Sequence, residues 1–223
     1  MPELSRHEAV FVLNLGDGEN RFSPDWLEKA TSLLDTVVAG SEPAALVTVG
    51  GGKFYSNGLD LEWLMSHGDE AGQYVAAVQE LLARVLELPV PTVAAVNGHA
   101  FGAGAMLAMA HDFRVMRADR GYFCFPEADI NIPFTPGMAA LLQGKLTPSA
   151  AIASMTTGRR FGGPQARELG LVDATADEAT LVETATTVVR DLAGKDRGTL
   201  GAIKATMFAP ALTALRTPAP RPV

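Results

Sequence analysis

Two stretches of the chain combine residue types that could do chemistry together. In residues 93–106 (VAAVNGHAFGAGAM), an apolar strand leads through small residues into a helix. Gly98, Gly102 and Gly104 let the backbone bend sharply and approach a ligand closely. The first amides of a helix beginning near Ala103 have no partner within the helix and lie at the positive end of its dipole. Such amides can stabilise a developing oxyanion.

The second stretch ends in Glu127, a carboxylate flanked by Phe125, Pro126 and Ala128. An edge residue that faces water is the ordinary alternative for such a side chain. If Glu127 instead faces a closed pocket, loss of solvent raises its pKa. A raised pKa suits a base that takes up a proton and gives it back. We therefore treat Glu127 as the candidate acid and base.

Other motifs with a chemical meaning are incomplete. Residues 50–53 (GGGK) are followed by Phe54, whereas a phosphate loop requires a serine or threonine there. The glycines of residues 98–104 are spaced differently from the dinucleotide-binding pattern, and Leu107 occupies the place of its last glycine. No G-x-S-x-G elbow of a serine hydrolase is present. Asp60 is interpreted first as the cap of a helix that begins at Leu61.

The histidines do not form a metal-binding pattern. They are scattered along the chain without metal-ligand spacing, so we expect surface or helix-capping roles for His7, His67, His99 and His111. No metal site is predicted.

The composition is that of an ordinary globular protein. The chain has 223 residues, 48% of them hydrophobic and 19% charged, which predicts one domain with a full core. The net charge of −7 argues against binding of nucleic acid. Cys124 is the single cysteine, which is typical of a reducing compartment. Neither a secretory leader nor an apolar run of the ~18 residues that span a membrane is recognised, so we expect a cytoplasmic protein without a membrane contact.

The first half alternates strands with helices. Ser23 and Pro24 predict the start of a helix that Gly40 ends. This alternation predicts an α/β fold with a mainly parallel sheet. Apolar, β-branched runs predict strands at residues 9–15, 45–49, 92–96, 113–116 and 122–125. Helical spacing predicts further helices at residues 61–65, 73–88 and 103–111.

Helices dominate the second half. Thr147 and Pro148 again supply a cap and a first-turn proline, for a helix predicted to end at Gly158. Further helices are predicted at residues 161–169, 178–192 and 199–212. Residues 217–223, with three prolines, are predicted to form a frayed tail.

Four motifs, in order along the chain, resemble those of the crotonase superfamily, the enoyl-CoA hydratase/isomerase family. Residues 56–61 (SNGLDL) resemble its first oxyanion loop, and residues 97–104 (NGHAFGAG) resemble its second. Residues 125–127 (FPE) resemble its catalytic-glutamate segment, and residues 158–173 resemble the segments after the site. The likeness extends over about residues 9–208.

The resemblance implies a fold and an assembly. The fold is an α/β crotonase (ClpP-like) β-β-α superhelix with helical C-terminal segments. Residues 1–216 are expected to form a single domain, with a spiral core at about 8–145 and a helical part at about 146–212, before the proline-rich tail at 217–223. Family members are usually trimers or dimers of trimers, so a homotrimer or a dimer of trimers is expected.

The resemblance also implies a chemistry, in which two backbone amides hold the enolate of a coenzyme A thioester. Carried across to this chain, the amides belong to Leu59 and Ala103, and Glu127 is the acid and base. Ala103 stands where the family more often has glycine, and this difference changes no donor.

The implied ligand is an acyl-CoA substrate, without a metal or redox cofactor. Lys53 is the first candidate to bind the phosphates of coenzyme A, although a solvated loop lysine is the plain alternative. Gly58, Asp60 and Gly102 are predicted to contact the coenzyme A moiety beside the two loops. Six side chains are predicted to contribute to the acyl pocket: Leu61, Trp63, Leu64, Met106, Phe134 and Met138.

Departures from the family patterns narrow the reaction. Enoyl-CoA hydratases use a second glutamate where this chain has Met106, so efficient hydration is not expected. Dienoyl-CoA isomerases use an aspartate where this chain has Thr135. One glutamate and an oxyanion hole remain, which resembles the Δ3,Δ2-enoyl-CoA isomerases. These enzymes move the double bond of a 3-enoyl-CoA to give a 2-enoyl-CoA.

Three alternatives stay open on the sequence. Another crotonase-type reaction of an acyl-CoA, such as hydrolysis, decarboxylation or carbon–carbon cleavage, also fits a lone acid. A non-catalytic member would bind acyl-CoA without turnover, although both loops and Glu127 are intact. A nucleotide-binding α/β protein is weakened by the incomplete phosphate-loop patterns.

Overall fold

The computed structural model describes residues 1–218, so positions 219–223 of the predicted tail lie outside the described residues. The strands are β1 (Glu3–His7), β2 (Val10–Asn14), β3 (Arg21–Phe22), β4 (Ala45–Val49), β5 (Phe54–Ser56), β6 (Gly58–Leu59), β7 (Thr92–Val96), β8 (His99–Phe101), β9 (Phe113–Arg117), β10 (Phe123–Cys124) and β11 (Ala174–Ala176). The helices are α1 (Pro24–Ala39), α2 (Leu61–Ser66), α3 (Ala71–Leu86), α4 (Ala103–Ala110), α5 (Glu127–Ile130), α6 (Pro136–Lys145), α7 (Pro148–Met155), α8 (Gly163–Leu169), α9 (Leu181–Arg190), α10 (Arg197–Met207) and α11 (Ala209–Arg216).

The main sheet has six strands in the order β1-β2-β4-β7-β9-β11. Every neighbouring pair in it is parallel except β1 and β2. Strands β4 and β7 are covered on both faces, which explains their nearly continuous apolar sequences. The prediction of a mainly parallel sheet is confirmed.

The chain repeats a unit of a long strand, a short strand and a helix. The units are β4-β5 with α2 and α3, then β7-β8 with α4, and then β9-β10 with α5. The short strands β10, β8 and β5 form a second, parallel sheet. This arrangement is the β-β-α pattern that the family resemblance implies, and helices α6 to α11 follow it.

Helix α4 lies at the centre of the molecule. All of its residues are buried, and it packs against α3 and α6 within the larger apolar core. Helix α9 covers the opposite face of the main sheet and forms a second apolar cluster with β4, β7 and β9. The position of the start of α4 is therefore fixed by the packing of the helix in the core.

Several element boundaries differ from the predictions for identifiable reasons. Strand β1 was not predicted because its residues are polar and mostly exposed. Phe161 does not begin a helix, because its backbone exchanges hydrogen bonds with Phe123. The helix predicted at residues 199–212 is two helices that meet at Phe208, since Pro210 has no amide hydrogen and starts a new helix. The helix predicted to reach Gly158 ends at Met155.

Other local predictions are confirmed. Ser23 and Thr147 accept hydrogen bonds at the starts of α1 and α7, each followed by a first-turn proline. Among the described residues, the helices are all too short or too polar to cross a membrane.

Candidate active site

The two predicted oxyanion loops meet at Gly58. This residue has φ +77°, a conformation that favours glycine. A Cβ atom at Gly58 would lie 2.8 Å from the amide nitrogen of Ala103 and 2.8 Å from the carbonyl oxygen of Phe101. Gly104 in turn packs against the carbonyl group of Ser56, without room for a side chain. The sequence therefore brings the loops together by omitting side chains at two contact points.

The amides on either side of Leu59 already have partners. The Gly58 amide donates to Ser56 Oγ at 3.1 Å, and the Asp60 amide donates to the Tyr74 hydroxyl at 2.8 Å. These bonds hold the backbone on both sides of the Leu59 amide in place.

Two further side chains hold this first loop. Asn20 is buried and donates from Nδ2 to the Tyr55 carbonyl at 2.9 Å, and its own carbonyl accepts from Ser56 Oγ at 2.7 Å. Asp60 Oδ1 accepts from the Trp63 amide at 3.1 Å and so caps α2, which confirms its predicted capping role.

The second loop leaves the Ala103 amide at the start of a buried helix. Gly102 is the N-cap, with φ +51°. The first amide to bond back to it is that of Met106, which donates to the Gly102 carbonyl at 3.0 Å. As the first residue of α4, Ala103 has no acceptor for its amide within the helix. Its amide is therefore suited to bind an oxyanion.

Glu127 is buried beside this second loop. Its residue is only 9% exposed, and a Cβ atom at Gly102 would lie 3.4 Å from Glu127 Oε1. Oε2 has no hydrogen-bond partner among the described residues. Loss of solvent raises the pKa of Glu127 to about 7, although its own backbone amide favours the charged form. Glu127 is therefore not an edge residue that faces water, and the condition under which its pKa was expected to rise is met.

The Glu127 side chain lines a cavity of about 560 Å³. The wall is mostly apolar, and Asn131 adds one polar side chain. Phe134 lies here, as predicted for the acyl pocket, with its ring edge towards Phe125 at 6.3 Å between centroids. The lining residues are Glu127, Ala128, Asn131, Ile132, Pro133, Phe134 and Met155.

The other predicted pocket residues are placed elsewhere around the loops. Trp63 lines a separate groove of about 530 Å³ between α1 and α3. Leu61 and Leu64 are half-buried on α2, with Leu64 against the core. Met106 and Met138 are buried in the core, and neither lines the cavity at Glu127.

Lys53 is exposed at the edge of the first loop, with Nζ 5.4 Å from the centre of the Phe54 ring. It belongs to a group of cations around His99. Burial lowers the pKa of His99, and the charges of Lys53, Arg160 and Arg120 lower it further. Positive charge is therefore concentrated near the loops of a chain whose net charge is −7.

His111 departs from the expectation of a surface residue. It does stand at the C-cap of α4, but it is completely buried and hydrogen-bonded through both ring nitrogens. No group of three or more potential metal ligands occurs within residues 1–218.

Sequence reasoning missed several residues that support the site. Asn20 and Tyr74 lie far from the loop motifs in sequence, and their contacts depend on the tertiary fold. Asn131 and Ile132 had an available signal, because they follow Glu127 within about one helical turn. Met155 had none, since it reaches the cavity from α7.

The β-β-α units, with two glycine-rich loops meeting beside a buried carboxylate, are the architecture of crotonase-type enzymes. The family model of enoyl-CoA hydratases/isomerases matches residues 5–219. The chain belongs to this family.

Three relatives show where it lies within the family. The peroxisomal enoyl-CoA delta isomerase 2 of Arabidopsis thaliana is 39% identical over 79% of this chain and 77% of its own. Enoyl-CoA delta isomerase 3 of the same plant is 37% identical over 87% of this chain and 86% of its own. The apo structure of an enoyl-CoA isomerase of Mycobacterium tuberculosis superposes with a TM-score of 0.89, at 28% identity, over 96% of this chain and 94% of that one.

Proposed function

We propose that this protein is a Δ3,Δ2-enoyl-CoA isomerase that uses Glu127 as its single acid and base. The observation that carries the proposal is one buried carboxylate, with a pKa of about 7, beside two converging backbone loops. The similarity to proteins named enoyl-CoA delta isomerases supports the same reaction.

In the proposed first step, the thioester oxygen of a 3-enoyl-CoA lies on the amides of Leu59 and Ala103. Glu127 removes a proton from C2, and the electron pair of that C–H bond moves towards the thioester oxygen. The product of this step is a dienolate whose negative charge faces two preorganised donors. One such donor contributes about 3 kcal/mol to lowering a barrier of this kind.

In the second step, Glu127 returns the same proton to C4. The double bond then lies between C2 and C3, in conjugation with the thioester. A single base suffices because C2 and C4 of the planar dienolate present the same face to it. The shift is redox-neutral, so it requires neither a metal nor a redox cofactor.

Lys53 remains the first candidate to contact the phosphates of coenzyme A, and the nearby charges of Arg120 and Arg160 support an anionic ligand on this side. Gly58, Asp60 and Gly102 border the thioester. The homotrimer or dimer of trimers stays a prediction from family resemblance. The cytoplasmic location also stays a prediction, and one relative is named as peroxisomal.

The test is turnover of 3-hexenoyl-CoA by the purified protein, followed by the absorbance of the conjugated product. Wild type is expected to be active, and Glu127→Gln is expected to lose about 10²- to 10⁴-fold in kcat, the usual contribution of a general base. Mass spectrometry of the product separates isomerisation, which leaves the mass unchanged, from hydration, which adds one water.

A wild-type protein that binds hexanoyl-CoA without converting 3-hexenoyl-CoA would overturn the proposal. Thioester hydrolysis, decarboxylation and carbon–carbon cleavage would then be assayed with acyl-CoA substrates carrying the appropriate groups. Binding without turnover in any of these assays would identify a non-catalytic member.

A further inference from the structure

A buried chain of hydrogen bonds connects β5, the strand that precedes Leu59, to α4, the helix that begins at Ala103. The Tyr55 hydroxyl contacts Thr48 Oγ1 at 2.8 Å, and Thr48 Oγ1 contacts His111 Nε2 at 3.0 Å. His111 Nδ1 contacts the Leu107 carbonyl oxygen at 2.8 Å. All three side chains are at most 1% exposed. The chain lies behind the site, and none of its members lines the cavity at Glu127.

The direction of every bond in this chain follows from its last acceptor. A carbonyl oxygen can only accept, so His111 Nδ1 carries the hydrogen that points to Leu107. Burial lowers the pKa of His111 to about 3, so the ring is neutral and Nε2 is an acceptor. Thr48 must therefore donate to His111, and its oxygen must accept from the Tyr55 hydroxyl. The three groups fit together in one arrangement only.

The two ends of this series of hydrogen bonds show which elements it connects. Tyr55 belongs to β5, which leads directly into the loop of Gly58 and Leu59. Leu107 belongs to α4, one turn after Ala103. Thr48 lies between them on β4, in the centre of the main sheet. The chain thus ties the strand before one amide to the helix that begins with the other.

We propose that Tyr55, Thr48 and His111 are positioning residues that set the separation of the Leu59 and Ala103 amides. This inference rests on the proposed function, because it takes these amides as the oxyanion hole. Both donors must lie about 2.7–3.1 Å from one oxyanion, and buried, fully satisfied networks hold such geometry rigidly. The glycine contacts set how closely the loops approach, and the buried chain prevents α4 from sliding along β5.

The central test compares Thr48→Val with Thr48→Ser. Valine keeps the shape of threonine and removes both hydrogen bonds, whereas serine keeps the hydroxyl. Thr48→Val is expected to lower kcat for 3-hexenoyl-CoA about tenfold with KM within about twofold, because misplacement by about 1 Å can cost on the order of 10²-fold in rate. Thr48→Ser is expected to restore most of kcat. Tyr55→Phe, which removes one bond, serves if Thr48→Val does not fold.

A second readout separates positioning from simple stability. The enolate of acetoacetyl-CoA places negative charge on the oxyanion site, whereas hexanoyl-CoA is neutral there. Thr48→Val is expected to weaken binding of acetoacetyl-CoA about tenfold and to leave binding of hexanoyl-CoA nearly unchanged. Ser154→Ala is the control. It removes a buried hydroxyl that donates to the Ala150 carbonyl within α7, and α7 carries neither oxyanion loop. Ser154→Ala is expected to lower Tm without changing kcat or the ratio of the affinities for acetoacetyl-CoA and hexanoyl-CoA.

The inference is overturned if Thr48→Val keeps kcat within about twofold of wild type, or if both ligands weaken equally. If wild type does not isomerise 3-hexenoyl-CoA, the proposed function fails instead. The ratio of the two ligand affinities then still decides whether the chain positions the amides.

Discussion

At the scale of single residues, the environment of Glu127 is more informative than its identity. Aspartates and glutamates are common, but few are 9% exposed with an oxygen that lacks a hydrogen-bond partner. The cost of this burial appears as a pKa raised to about 7. A carboxyl group with that pKa exchanges protons readily near neutral pH, which the proposed isomerisation requires twice in each cycle.

The pH dependence of activity follows from the same pKa. Glu127 must be ionised to remove the C2 proton, so kcat/KM is expected to fall as the pH drops below about 7. In that range the expected decrease is about tenfold per pH unit, since one proton blocks the base. Measurement of kcat/KM with 3-hexenoyl-CoA from pH 5 to 9 checks this. A profile that is flat between pH 5 and 7 would contradict the role of Glu127.

The stability of the fold should also depend on pH through Glu127, but it should decrease as the pH rises, whereas activity increases. The pKa of Glu127 is higher in the folded state, about 7, than the ordinary value of 4.5 expected after unfolding. Its neutral form therefore favours folding below pH 4.5, and this contribution is lost as the pH rises towards 7. Glu127→Gln, which is always neutral, is expected to be more stable than wild type at pH 8, by on the order of 2–3 kcal/mol.

Denaturant unfolding of both proteins at pH 4 and pH 8 measures this difference. The two free energies of unfolding should converge at pH 4 because Glu127 is then protonated in both states. An equal difference at both pH values would mean that the substitution acts through packing instead of charge.

At the scale of elements, the meeting of the short strand β6 with the start of α4 defines the site. Gly58 faces the Ala103 amide, and Gly104 faces Ser56. No side chain separates the two backbones, so their positions depend on each other. A substitution that displaces one backbone is therefore expected to displace both candidate amides, those of Leu59 and Ala103.

Gly58→Ala tests this dependence against a matched glycine. Gly58 and Gly170 have nearly the same φ, +77° and +79°, so alanine is similarly strained at both. A Cβ atom at Gly58 meets the Ala103 amide at 2.8 Å, whereas a Cβ atom at Gly170 meets nothing within 4 Å. Gly170→Ala is expected to lower Tm by a few degrees, for a strain of about 1 kcal/mol.

Gly58→Ala is expected to lower Tm further and to reduce kcat by about 10² or more, because the donors are displaced. Thermal unfolding and turnover of 3-hexenoyl-CoA measure the two effects. Equal kcat values for the two variants would show that the close approach at Gly58 does not position the amides.

Strands that are buried could be predicted from their apolar sequences, whereas very short or exposed strands could not. Strands β4 and β7 are covered on both faces, so their apolar runs were recognisable. Strands β3 and β6 have two residues each, too few to show any periodicity. Strand β10 is equally short, but it falls within the strand predicted at residues 122–125. The exposed edge strand β1 has a polar sequence, and its pairing with β2 depends on a turn at Glu8. These strands exist because the fold supplies their partners.

At the scale of the whole molecule, the site depends on contacts between distant segments. The loop motifs and Glu127 were recognisable because each is local. The supports were not, since Asn20 and Tyr74 reach the first loop from other elements, and His111 contacts Thr48 on β4 behind it. A single sequence shows which residues are polar, but the partner of each polar group becomes known only when the chain is folded.

The surface around the Glu127 cavity supports a prediction about assembly. Ile132 and Met155 line the cavity, and Ile152 lies one turn before Met155 on α7, 66% exposed. Exposed apolar groups beside a site are typical of surfaces that another protein covers. Family resemblance implies a homotrimer, so we expect wild type to have the mass of a trimer, or of a dimer of trimers, in light scattering.

Ile152→Lys tests whether this surface is the interface. A charge there would be buried without a partner in the assembly, so the variant is expected to shift towards monomers while the monomer stays folded by circular dichroism. Ile203→Lys is the matched control, because Ile203 is also an exposed isoleucine, 48% exposed, but lies on α10 away from the cavity. It should keep the wild-type mass. If Ile152→Lys also keeps that mass, the subunits meet through another surface.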